Sequence, residues 1–291
     1  MTGVSGVSYN GVDLREYGLY TNGNKVFSSP KKNYTKVSVP GRGDLFFWDG
    51  TYSNVDVEYS SILLPTPIFN SNSFESKFRN NTIDIKSVLL SAEGYVRIED
   101  TYNPDEFRLG VFEGPLDIDA VLLSAGNATL KFNCKPERFL FSGEEEIALT
   151  YSDGFIDRDY VSLSNPTSFI SKPLITIKGD GEWTFFFYKL YRESPDVVHR
   201  FRFRVDGPED DSTLYFDSEL MDFYLLSSDE ITKTNWNSHA TILGPPDPTD
   251  GRINIQDETC NYYPGTNYLA VMRANYTTEG TAKIKTRVYN L

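Results

Sequence analysis

Apolar and polar residues alternate with period two along most of this chain, which commits it to pleated strands with one face on a core and one toward solvent. Val37 and Val39 sit beside Lys36 and Ser38, and Val55, Val57 and Tyr59 alternate with Asp56 and Glu58. Phe107, Leu109 and Val111 alternate with Arg108 and Gly110, and Ala128, Leu130, Phe132 and Cys134 with Thr129, Lys131 and Asn133. Further on, Ile175 and Ile177 alternate, Trp183, Phe185 and Phe187 oppose Phe186 and Tyr188, and Phe201, Phe203 and Val205 oppose Arg202 and Arg204. Leu269 and Val271, then Ala282, Ile284 and Val288, predict a final hairpin around Thr278-Glu279-Gly280. Pro40-Gly41-Arg42-Gly43, Asp49-Gly50, Asn103-Pro104 and Ala125-Gly126-Asn127 punctuate the strands with turns.

One stretch breaks the rhythm. From Ser73 to Glu93, Phe74, Phe78, Ile85, Val88 and Leu89 recur at helical spacing, with an interruption expected near Asn80-Asn81, Thr82 as a cap and Gly94 as a stop. The strands of this first portion are expected to end near Pro136, and the Gly143-Glu144-Glu145-Glu146 run is hard to bury. The chain is therefore divided into residues 1–138 and 139–291. The first part reads as a mainly β domain with one helical segment, the second as a β-sandwich without a helix.

The 19 Tyr and 20 Phe suit half-buried strands, and a net charge of -13 argues against a nucleic-acid binder or an anionic membrane surface as partner. The acidity is uneven: residues 1–135 carry a net of -3 and residues 136–291 a net of -10. No apolar run has the length of a membrane span, and Met1 to Asn10 lacks the basic and apolar regions of a signal peptide, so no membrane insertion and no leader are expected.

Catalytic chemistry finds little footing. Gly41-Arg42-Gly43-Asp44 is too short for a phosphate loop and reads as a hairpin turn. His199 and His239 stand apart from any nucleophile motif and read as surface histidines. Cys134 and Cys260 read as buried free thiols, and with two histidines they make no common zinc site. Glu219 and Asp222 are the best carboxylate pair for glycoside hydrolysis, but a chain this acidic offers such pairs by chance. Glu209-Asp210-Asp211 and the Asp247–Gly251 loop are oxygen-rich without the spacing of a calcium loop. No enzyme activity, cofactor or metal is expected.

A resemblance narrows this reading. The order Tyr9-Asn10-Gly11-Val12-Asp13-Leu14, Val39-Pro40-Gly41-Arg42-Gly43-Asp44, Asp49-Gly50-Thr51-Tyr52, Gly94-Tyr95-Val96-Arg97-Ile98-Glu99-Asp100, Tyr102-Asn103-Pro104-Asp105 and Phe132-Asn133-Cys134-Lys135-Pro136 resembles the distal tail protein family of siphophages. Asn165-Pro166-Thr167, Tyr215-Phe216-Asp217-Ser218-Glu219 and Tyr263-Pro264-Gly265-Thr266-Asn267 continue the likeness. The family's tryptophan-bearing last strand has no counterpart in Lys283–Tyr289.

The resemblance implies a tail-tube-like first domain that assembles into a homohexameric ring, and a galectin-like β-sandwich outside it. It implies a baseplate hub at the virion tail tip. Its partners would be the tail tube protein, a tail-associated lysin or tip protein, and receptor-binding or other baseplate proteins. DNA would pass through the lumen without specific binding, past a few placed carboxylates.

Within that frame, the Val37–Tyr59 stretch reads as a hairpin whose tip, Leu45-Phe46-Phe47-Trp48, contacts a neighbouring subunit, since adjacent bulky residues cannot all face one core. The alternative is a non-catalytic lectin-like module recognising cell-wall glycans, with Trp236, Tyr262 and Tyr263 as stacking platforms and Trp183 in the core.

Overall fold

Two rows of large side chains, one from each half of the chain, organise the strands around separate cores. The computed structural model describes residues 5–22, 28–64, 74–122, 125–153, 161–190, 197–209, 212–226, 232–243, 253–257 and 259–291. Strand dominates them, with one α-helix. They fall into two compact units, Met1–Phe139 with Leu291, and Leu140–Asn290.

In the first unit one sheet runs in the order Val12–Asp13, Val7–Tyr9, Val96–Asp100, Glu106–Phe112, Ala125–Leu140, Val55–Leu63, Leu19–Thr21, with Ile118–Leu122 also pairing to Ala125–Leu140. Asn10 and Gly11, both at positive φ, turn the chain between Val7–Tyr9 and Val12–Asp13, as the Asn-Gly pair dictates. Val55, Val57 and Tyr59 are buried and pair across with Cys134, Phe132 and Leu130. Phe132 sits at the centre, its ring 5.5 Å from Tyr9, 5.7 Å from Phe112 and 6.0 Å from Tyr59. The Tyr59 hydroxyl donates to Asp100 at 2.8 Å, and the other Asp100 oxygen accepts from the amides of Tyr102 and Asn103, which fixes the turn before Glu106–Phe112.

Three local expectations change here. Phe74–Leu90 is a single uninterrupted helix, with Ile85 and Leu89 in the core. Thr82 is not a cap: its hydroxyl donates back to the Phe78 carbonyl at 2.8 Å, a bond available inside a continuous helix. The strand also runs through Pro136 to Leu140 instead of stopping there, and it begins at Ala125, so Ala125-Gly126-Asn127 is strand and not the expected turn.

The third change is one of face. In Glu106–Phe112 the core-facing positions are Arg108, Gly110 and Phe112, not Phe107, Leu109 and Val111. Gly110 permits this, because a Cβ there would lie 2.6 Å from Ile98 Cδ1 and 2.8 Å from Cys134 Sγ. Phe107 is buried on the opposite face by stacking on Phe139 at 5.4 Å, with the Arg97 guanidinium 4.1 Å from its ring.

The second unit is a two-sheet sandwich. One sheet runs Ile147–Leu149, Thr281–Lys285, Leu174–Lys178, Thr213–Asp217, Asp222–Leu226, Lys233–Asn235. The other runs Tyr151–Asp153, Gly265–Ala274, Glu182–Leu190, Val197–Asp206, Ala240–Ile242, with Val161–Asn165 on Gly265–Ala274 and Ile253–Gln256 on Val197–Asp206. Phe203 is fully buried between the sheets, 4.9 Å from Phe185 beside it and 4.6 and 5.3 Å from Phe216 and Phe223 opposite. Trp183 is also fully buried.

The expected final hairpin does not form. Gly265–Ala274 and Thr281–Lys285 lie in different sheets, so Leu269 and Val271 meet the same core as Ala282 and Ile284 from opposite sides. The crossing is pinned by Arg273, which has no exposed side-chain surface. It donates to the Asp180 carbonyl and carboxylate and lies 4.7 Å from the Trp183 ring and 4.4 Å from Tyr276. Asp180 in turn accepts from Thr277 and Thr278, whose hydrogen bonds hold its carboxyl well below the usual range.

Deleting the Phe203 ring with Phe203→Ala is expected to cost about 3–5 kcal/mol, read from urea unfolding. Burial also pushes the Cys134 thiol up to about 11 and raises Cys260, Tyr59 and Tyr262. These groups ionise first in the unfolded chain, so the unfolded state binds fewer protons and stability falls as pH rises above about 9. A urea midpoint lower at about pH 10.5 than at about pH 8 is the expected result.

Candidate functional site

Lys32–Ser38 and Asp44–Tyr52 form a hairpin outside the main sheets; among the described residues their strands pair only with each other. The Pro40-Gly41 step makes its turn, with Gly41 at φ 74° and the Arg42 amide donating to the Val39 carbonyl at 3.0 Å. The tip is therefore Pro40–Gly43, and Leu45-Phe46-Phe47-Trp48 lies along the returning strand. Val55–Leu63, expected as part of this hairpin, belongs to the large sheet instead. The expected alternation of buried and exposed faces is absent: every residue from Thr35 to Ser38 and from Asp44 to Thr51 is exposed.

The exposed residues are large. Phe46 is 62% exposed, Phe47 56%, Leu45 48% and Trp48 47%, joined by Tyr34 and Val37. Cross-strand partners project to the same side, so the register sorts them into two faces. Tyr34 opposite Trp48 and Lys36 opposite Phe46 make one face; Thr35 opposite Phe47 and Val37 opposite Leu45 make the other. The first face is held by edge-on packing of Tyr34 on Phe46 at 6.1 Å and of Trp48 on Tyr52 at 5.5 Å, with Lys32 Nζ 4.7 Å from the Trp48 ring. Lys36 pairs with Asp44 at 2.7 Å, and the Trp48 indole donates to the Thr51 carbonyl at 3.0 Å. Hydrogen bonds from Lys36 and Ser38 hold the Asp44 carboxyl below its ordinary range.

A lone two-stranded hairpin is marginal in water, and contiguous exposed apolar area of this kind marks an interaction site. Tyr34, Phe46 and Trp48 on one face and Val37, Leu45 and Phe47 on the other give it two apolar surfaces. Tyr34 escaped the sequence reading, although its spacing from Lys32 and Lys36 placed it on their face.

The other singled-out residues separate from one another. Tyr262 is 1% exposed and offers no ring face to a sugar, which removes it from the stacking set. Tyr263 is 9% exposed, with its hydroxyl shared between Asn261 and His199 at 3.1 Å each. Trp236 packs against the sandwich core, donates to the Asp206 carbonyl at 2.9 Å and carries His239 stacked at 4.0 Å. His199 is not an ordinary surface histidine: its Nδ1 lies 2.8 Å from Asp257 and 3.1 Å from the Tyr263 hydroxyl.

Cys134 and Cys260 are buried free thiols. Glu219 is exposed beyond a turn held by Asp217, and Asp222 accepts from Asn237 at 2.7 Å. No cluster of metal-ligating side chains occurs among the described residues; Asp210, Asp211 and the Asp247–Gly251 loop lie outside them.

No protein-family model and no curated protein sequence matches this chain. Solved structures do. The chain is similar over 99% of its length to the whole of the Dit (gp 19.1) protein of phage SPP1, at 14% identity and a TM-score of 0.59. That protein is described as a paradigm of the hub adsorption apparatus in phages infecting Gram-positive hosts. This chain is also similar to a chain of the phage P2 baseplate in its activated conformation with Ca, covering 98% of each chain at 9% identity and a TM-score of 0.50. The fold of this chain is thus the mainly β fold of phage distal tail and baseplate hub proteins.

Because the hairpin contributes no core residue, replacing Phe46 and Trp48 together by serine is expected to move the urea-unfolding free energy by no more than about 1 kcal/mol when both chains are unfolded at a dilution where they are monomeric.

Proposed function

We propose that this chain is the hub subunit of a siphophage baseplate, a structural and non-catalytic protein of the virion tail tip. Residues 1–138 form a homohexameric ring continuing the tail tube, and residues 139–291 supply a galectin-like sandwich. The ring joins the tail tube protein to a tail-associated lysin or tip protein, anchors receptor-binding or other baseplate proteins, and lets DNA pass. The observation that carries this reading is the likeness to the SPP1 hub protein over the full length of both chains.

The hairpin supports it from the physical side. Its occupant is a second copy of this chain: Lys31, Lys32, Lys36 and Arg42 against Asp44 and Asp49 make it net basic on a chain of net charge -13. A ring built from one repeated, non-self-complementary contact needs two faces per subunit, and the hairpin has two apolar ones. The solvent-side row of the large sheet mixes Asp56 and Glu58 with Lys131 and Asn133, so the first unit has carboxylates to place along a lumen without bulk acidity.

The test is the oligomeric state of the full-length chain by light scattering, with subunits of 33.1 kDa. A species of roughly 200 kDa is expected. F46S/W48S on one face and L45S/F47S on the other each shift it to monomer. Unchanged assembly in both variants, or a wild-type chain that is monomeric at every concentration, would overturn the assignment of this hairpin as the ring contact.

A further inference from the structure

The sandwich carries a feature that hub assembly leaves unused. In Val197–Asp206, Phe201, Phe203 and Val205 fill the core, which sends Arg200, Arg202 and Arg204 to the outer face of that sheet. The register sets an aromatic row beside them: Arg200 pairs with Tyr188 and Arg202 with Phe186, while Tyr188 pairs onward with Tyr268. Arg202, Phe186, Tyr188 and Tyr268 are half-buried and Arg204 is exposed. Three guanidinium groups in one row are unusual on residues 136–291, whose net charge is -10.

One face of each ring is already occupied. The Arg202 guanidinium lies 4.6 Å from the Phe186 centroid, and Tyr188 and Tyr268 stack on each other at 5.0 Å and 12°. A guanidinium laid on a ring is held in place with its N–H edge directed away from it, a preorganised fork for carboxylate. Arg202 Nε is buried with no hydrogen-bond partner. Burial, and then the charge of Arg204, lower the Arg202 pKa, so an added anion relieves both. Among the described residues, Glu182 lies 3.5 Å from Arg204, with Asp206 beside Glu182 in register.

We propose that this outer sheet face docks an extended, acidic segment of a partner protein. Alternate residues of a strand repeat at about 6.6–6.8 Å, so carboxylates two positions apart on a partner strand match the spacing of Arg202 and Arg204. Arginine and tyrosine without lysine is the composition of an interface core. The ring faces taken by Arg202 and by the Tyr188–Tyr268 stack are lost to sugars and nucleobases, which favours a carboxylate ligand over a glycan or a single strand. The surface belongs to the second unit alone and does not depend on ring closure.

The test uses the full-length chain and a fluorescent ten-residue peptide of alternating glutamate and threonine, with its block-sequence isomer, oligothymidylate and polygalacturonate as competitors. The alternating peptide should bind about tenfold more tightly than the block isomer, and R202Q/R204Q should lose about tenfold in affinity with an unchanged circular-dichroism spectrum. Equal binding of the two isomers, or unchanged binding by the folded variant, overturns the proposal. Tighter binding of oligothymidylate or polygalacturonate overturns the protein partner in favour of that polymer. Should R202Q/R204Q not fold, the exposed R204Q alone must lose at least about threefold, and no loss is equally fatal.

Discussion

Burial of aromatic rings from alternate strand positions holds each half of this protein together, and everything else is arranged around it. Phe132 gathers Tyr9, Tyr59 and Phe112 in the first unit, and Phe203 gathers Phe185, Phe216 and Phe223 in the second. A ring of this size buries a large area and tolerates little displacement, so it fixes register as well as stability. Once Phe203 is committed inward, Arg202 and Arg204 have to face outward. The outer arginine row follows from the core.

The protein departs from that rule at one hairpin and at two buried arginines. The Lys32–Tyr52 hairpin has large residues on both faces and a core on neither. A monomer gains nothing by exposing Phe46 and Phe47; an assembling subunit gains an interface. Arg108 and Arg273 are buried cations of contrasting kinds. Arg273 is matched by Asp180 and a cage of rings, whereas Arg108 gives one bond to the Ser28 carbonyl and leaves Nη1 without a partner. The first locks the crossing between sheets, and the second is carried by a strand whose Gly110 draws it against the core.

Much of this was legible in the chain itself. The inward sets Val55-Val57-Tyr59, Leu130-Phe132-Cys134 and Trp183-Phe185-Phe187 follow from period two, and the Pro40-Gly41 turn from local backbone preference, whereas Asp49-Gly50 and Ala125-Gly126-Asn127, expected as turns by the same rule, lie within the strands Asp44–Tyr52 and Ala125–Leu140. The exposed quartet Leu45–Trp48 was legible as a conflict, since consecutive bulky residues cannot share a face. The stacking residues were not, because Tyr262 and Tyr263 look like surface aromatics until the sandwich closes over them.

The sequence by itself determined the strand content, the Pro40-Gly41 turn, the uneven division of charge and most of the inward rows, because these depend on neighbours two to four residues away. Only the tertiary structure decided which face of Glu106–Phe112 turned inward, that Gly265–Ala274 and Thr281–Lys285 part into opposite sheets, and that the aromatic hairpin stays uncovered. Those outcomes rest on contacts between residues far apart in the chain: Gly110 against Cys134, and Arg273 against Asp180. Periodicity states that a strand has two sides; only packing states what lies on each.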